Sequence, residues 1–178
     1  SAGMILLDKE LMVLKDGVIE GRKVFENIIK YIRMGASSNY GNMFSFAGAS
    51  LFLPFLPMLP IQVILNNFLY DMSQLAITTD NVDEEQIRKP RPWDIESIKR
   101  FMIFIGPISS IFDFITFGFM FLIAHAIAPT FQTAWFIESL FSQVVVIHVI
   151  RTNKIPFLQS RPSIPLVFVS IAIVVIGI

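Results

Sequence analysis

No cysteine occurs in the 178 residues. Its absence excludes a disulfide framework, a thiolate nucleophile and a zinc site of the cysteine type. Neither sign of charge is in excess, since 14 Lys and Arg face 14 Asp and Glu. Nothing in that balance points to nucleic acid or to an acidic partner. Histidine is scarce, and His125 and His148 stand far apart without metal-ligand spacing. The sequence contains no G-x-x-x-x-G-K-[ST], no H-E-x-x-H and no G-x-S-x-G. On its own residues the chain does not read as a complete enzyme.

What is abundant is apolar surface. Hydrophobic residues make up 54% of the chain, 18 of them Phe, and mean hydropathy is +0.65. A soluble domain of this size cannot bury that much in one core. The apolar residues also arrive in blocks, at about residues 34–53, 58–78, 101–124 and 131–150. Each block has the roughly 20 residues a helix needs to cross a bilayer. A fifth run, 164–178, spans only about 22 Å as a helix and reads as truncated. The expected fold is therefore all-α, a polytopic transmembrane bundle over residues 27–178. Residues 1–26 are charged and mixed, and read as the end of a cytoplasmic α/β domain, with a short strand at Met4–Leu7 and then a stalk. Both ends read as cuts, and a fragment is the expectation.

Loop charge orients the bundle. Residues 1–33, 79–100 and 151–161 hold the Lys and Arg, whereas Pro54–Pro60 and the loop around Pro129 hold none. The positive-inside rule places the basic segments in the cytoplasm and the other two loops outside. The basic residues Lys89, Arg91, Lys99 and Arg100, with Trp93, read as a topology anchor facing membrane lipid, with anionic headgroups a weaker possibility.

Polar side chains at membrane depth are costly and by default face a pathway or the bundle interior. Asn67, Tyr70, Asp71 and Gln74 fall at i, i+3, i+4 and i+7, one face of a helix. An Asp within such a stripe points to a cation pathway more than to packing. Ser38, Asn39 and Asn42 offer uncharged oxygens, which suit a hard cation such as Mg²⁺ or Ca²⁺. Ser37, Gly41, Ser45 and Ala49, at steps of four, form a small-residue stripe for close helix packing. Asp113 reads equally as ligand or as packing acceptor. Glu138 is expected to reach toward headgroups, and His148 to be interfacial.

Two of these segments resemble motifs of P-type cation ATPases. Ser37-Ser38-Asn39-Tyr40-Gly41-Asn42 resembles the S-S-N-x-G-x of their fifth membrane helix, and Asn67-Phe68-Leu69-Tyr70-Asp71 resembles the N-x-x-x-D of their sixth. The opening Ser1–Asp8 and Glu20-Gly21-Arg22 resemble the end of the phosphorylation domain and the stalk. Phe52–Pro60, Thr79–Asp83, Gly106–Asp113, His148–Thr152 and Ile155-Pro156-Phe157 are most similar to the bacterial magnesium-transporting branch. The resemblance implies helices five to nine of a pump in the inner (plasma) membrane. It also implies magnesium as the transported ion, and ATP bound by cytoplasmic domains outside this chain. It implies ion-site positions at Asn39, Asn42, Asn67, Tyr70, Asp71 and Gln143. Calcium pumps have an acid where Asn42 stands and a Thr where Tyr70 stands. One carboxylate fits a single divalent ion that keeps some of its water, as Mg²⁺ prefers. A pump for calcium, sodium or protons, and a non-enzymatic channel or secondary transporter, remain the alternatives.

Overall fold

The computed structural model describes residues 11–178, and among them every regular element is a helix. The expected strand at Met4–Leu7 lies outside the described residues. Helix α1 runs unbroken from Leu11 to Phe52, so no break marks the division expected between residues 26 and 27. Its 42 residues extend about 63 Å, twice the roughly 30 Å of a bilayer's hydrocarbon. The charged first half must therefore project beyond the membrane, and the uncharged stretch after Arg33 is the part that can lie within it.

The chain leaves α1 where proline removes backbone donors, at Pro54, Pro57 and Pro60. Pro60 then occupies the first turn of α2, Pro60–Leu75, where a missing N–H costs nothing. The Gln62 side chain accepts from the Leu59 amide at 2.9 Å and closes that end. Helix α2 tightens into a 3₁₀ turn over Ala76–Thr79, and a single helical turn, α3, covers Glu84–Ile87. Helix α4, Ile95–Gly118, starts on an Asp94 cap that accepts from Ser97 N at 3.1 Å. It continues through a π-helical segment, Phe119–Ile123. Helices α5, Ala128–Ile150, and α6, Ile164–Gly177, complete the bundle.

Two helical stretches, Ile95–Ile123 and Ala128–Ile150, are long and apolar enough to cross a membrane, and α6 is apolar but shorter. Helices α1 and α2 were expected to match them. Ser37, Ser38, Asn39, Asn42 and Ser45 dilute the first, and Asn66, Asn67, Asp71 and Gln74 the second. Outward-facing apolar side chains support membrane burial independently. Leu51 is 81% exposed, Phe52 76%, Phe168 71% and Val175 70%, and large residues of this kind cover the outer faces of several helices.

Close packing of α1 on α4 sets the bundle's centre. Ser37, Gly41, Ser45 and Ala49 are all buried, as their spacing predicts. A Cβ at Gly41 would lie 2.9 Å from the Gly106 carbonyl oxygen, and one at Gly106 would lie 2.7 Å from the Tyr40 ring. Ser110 spans the seam by donating to the Gly41 carbonyl at 2.9 Å. Beyond it, Phe117 stacks on Phe131 and meets Trp135 edge-on at 4.9 Å, filling the space between α4 and α5.

Candidate cation site

A cleft of about 440 Å³ opens between α1, α2 and α5. Asn39, Asn42, Asn66, Asn67 and Ser139 supply its polar lining, with Met43, Phe46, Met58, Val63 and Trp135 around them. Three of the six expected ligands, Asn39, Asn42 and Asn67, thus meet at one place. Gln143 joins them through Asn42: its Nε2 donates to Asn42 Oδ1 at 3.2 Å and to Ser139 Oγ at 2.8 Å. Tyr70 is turned elsewhere. It is 1% exposed, and its hydroxyl donates to the Met34 carbonyl at 3.3 Å.

The expected stripe on α2 divides. Tyr70 and Gln74 are buried, Asn67 is half-buried, and Asp71 is exposed and does not line the cleft. The buried arc of α2 runs through Asn66, Leu69, Tyr70, Ser73 and Gln74. Asp71 stands about 100° beyond Tyr70 around the helix, past the edge that α1 and α5 cover. Asn39, also exposed, is the corresponding residue on α1.

The donor chemistry of the cleft is neutral oxygen. Two amides in and beside it, Asn66 and Gln143, spend their N–H groups on protein and leave their carbonyls without a partner. Asn66 donates from Nδ2 to the Phe136 carbonyl at 3.3 Å. Asn66 Oδ1, Gln143 Oε1 and Ser38 Oγ are buried without a hydrogen-bond partner. Unpaired acceptors in a dry interior are destabilising unless something positive meets them. Among the described residues no group of three or more acidic or imidazole side chains forms a metal cluster.

Asp113 is fully partnered. Its carboxylate accepts from Ser45 Oγ and from Trp135 Nε1 at 2.9 Å, so it ties α1 and α5 to α4. One expectation needs correction. Glu138 does not reach for headgroups: its Oε2 is buried and it lies against Asp113. His148, in the last turn of α5, is 8% exposed, with Nε2 3.1 Å from Ser170 Oγ on α6. Both side chains are covered because α5 packs against other helices on most of its circumference.

Sequence reasoning missed a second polar centre, at the end of the bundle assigned to the cytoplasm. The Asp80 side chain is fully buried, with Arg151 Nε at 2.7 Å and Lys30 Nζ at 3.5 Å. Asp80 also accepts from Ser163 N at 3.0 Å. Asn27 on α1 donates to the Asp80 carbonyl at 2.9 Å, and Arg151 donates to the carbonyls of Ser160 and Arg161. One carboxylate thereby joins α1, the end of α2, the end of α5 and the start of α6. Burial lowers the Lys30 pKa, the Asp80 carboxylate opposes that, and Arg151 adds to it. For Asp83, burial pushes upward but is outweighed by hydrogen bonds from Thr152 and Ser160, so its pKa falls. The available signal was the depth of Asp80 and Arg151, each just past the end of an apolar span.

Residues 55–178 match the family of cation-transporting ATPase C-termini. The chain is 53% identical, over its whole length, to the P-type 1 magnesium-transporting ATPases of Salmonella typhimurium and Escherichia coli, covering 20% of each. The calcium-transporting ATPase of Bacillus subtilis is 32% identical over 93 residues, 51% of this chain and 10% of that protein. The chain thus spans about a fifth of the length of the magnesium-transporting relatives it matches.

Proposed function

Because the chain belongs to the family of cation-transporting ATPase C-termini, we propose that it supplies ion-binding helices to an ATP-driven magnesium transporter. The carrying observation is the cleft where Asn39, Asn42 and Asn67 converge beside buried, unpartnered amide oxygens. Such oxygens suit a hard divalent cation, and a set without a second carboxylate suits Mg²⁺, which sheds its water reluctantly. The magnesium-transporting relatives match over all of this chain, the calcium-transporting one over about half.

Asp71 supplies the charge in this reading. A carboxylate facing lipid at that depth is costly, so its exposed face is where further helices of the complete pump close over the cleft. ATP binding and phosphoryl transfer belong to cytoplasmic domains that this chain does not supply. The fragment alone hydrolyses no ATP. Residues 1–26 belong to the end of the phosphorylation domain and its stalk. The protein resides in the inner (plasma) membrane with residues 79–100 and 151–161 in the cytoplasm, the basic 79–100 loop facing lipid headgroups.

In the complete pump, Asp71→Asn keeps shape and removes charge. It should leave expression intact and abolish magnesium-stimulated ATP hydrolysis. Normal hydrolysis by that variant, or equal stimulation by Ca²⁺ or Na⁺ in place of Mg²⁺, would refute the assignment.

A further inference from the structure

We infer that Asn66 is an additional ion-facing residue, presenting a fixed neutral oxygen to the transported cation from the α2–α5 wall; this rests on the cation reading of the cleft. Asn66 is 2% exposed and lines the cavity. Its Nδ2 donates to the Phe136 carbonyl at 3.3 Å, while Oδ1 is buried with no donor. That bond fixes which end of the amide faces inward. Turning the amide over would lose the bond and bring two acceptor oxygens to the same short distance. The end of the amide left without a protein partner is therefore a carbonyl, which attracts cations and repels anions.

The position adds something Asn67 cannot. Asn67 is half-buried on the open side of α2, whereas Asn66 stands about 100° around the helix, against α5. Ser139 on α5 shares that wall, its Oγ held by Gln143. Consecutive asparagines thus line the cleft from two positions about 100° apart on α2, one buried and one half-buried. The Asn66 side chain is held by its bond to the Phe136 carbonyl and by packing, so its place does not depend on residues outside this chain. A ligand fixed in that way contributes to affinity rather than to turnover.

The test is the magnesium dependence of ATP hydrolysis by the complete pump carrying Asn66→Leu, with Asn67→Leu and Asp71→Asn alongside. Leucine keeps the volume and removes the oxygen. Asn66→Leu should raise the half-activating Mg²⁺ concentration about 10-fold, in the range for lost metal-site support, with the saturated rate preserved. An unchanged Mg²⁺ dependence, while Asn67→Leu or Asp71→Asn shifts it, overturns the inference and leaves the site standing. If none of the three shifts it, the cation reading fails and takes the inference with it. Should Asn66→Leu not fold, Asn66→Asp decides. It is isosteric and adds charge at the same point, so it should change the relative activation by Mg²⁺ and Mn²⁺. A ratio of Mg²⁺ to Mn²⁺ activation unchanged from the parent's would equally overturn the inference.

Discussion

Removing the charge of Asp80 should cost the bundle more than any other single polar substitution described above. Its carboxylate is fully buried and faces two cations whose side chains are themselves 1% and 6% exposed, Arg151 and Lys30. Asp80→Asn keeps the shape but removes the counter-charge nearest both cations, leaving Lys30 only the weaker influence of Asp83, and it weakens the bond from Ser163 N. Breaking a buried pair by removing one partner costs about 3–5 kcal/mol. Lys30 can relieve part of this by losing its proton, since burial already lowers its pKa. In a Lys30→Met background the Asp80→Asn cost should therefore shrink, by about 0.5–3 kcal/mol for groups in direct contact. The assay is thermal unfolding of the complete protein in detergent for the two single variants and the double. If Asp80→Asn melts within about 1 kcal/mol of the parent, the energetic argument for this cluster is wrong. A full additive cost in the double variant would show that Lys30 does not sense Asp80.

Three further outcomes follow from packing and topology. Gly41→Val should destabilise by about 1–3 kcal/mol, because even a Cβ there meets the Gly106 carbonyl at 2.9 Å; thermal unfolding reads it directly. Asp113→Ala strands the Ser45 hydroxyl and the Trp135 N–H and should cost about 1–3 kcal/mol for each group left unpaired. Asp113→Asn, by contrast, should leave magnesium-stimulated hydrolysis close to the parent rate. Cysteines placed at Leu56 and Thr130, both exposed, should react with an impermeant reagent outside sealed cells, and one at Glu96 should not.

Much of this architecture could be read directly from sequence because its causes are local. The Pro54–Pro60 spacing ends α1 without reference to any other helix. The Ser37-Gly41-Ser45-Ala49 stripe names its own role, since small residues at steps of four permit close approach and little else. That Asn39, Asn42 and Asn67 line one cleft is different in kind, since local pattern does not bring α1 and α2 together and only the family resemblance groups these three. What failed depended on rotation about a helix axis. Asp71 and Tyr70 are adjacent in sequence and were placed on one face, yet the covered arc of α2 ends between them. Glu138 is placed by its position near one end of α5, which says nothing about the direction it faces, and there it turns onto Asp113. The Asp80 cluster is only hinted at by the depth of Asp80 and Arg151: the partners of Asp80 lie 50 residues away on α1 and 71 residues away at the end of α5, and no local pattern encodes that meeting.

The most direct test of the central claim is where a divalent cation sits in the complete pump. Mn²⁺ can stand in for Mg²⁺ because it favours the same oxygen ligands and is visible by anomalous scattering. The account predicts an anomalous peak in the cleft bounded by Asn39, Asn42, Asn66 and Asn67, with Asp71 turned toward it. A peak confined to the Asp113–Glu138 pair, with nothing in the cleft at saturating Mn²⁺, would contradict it.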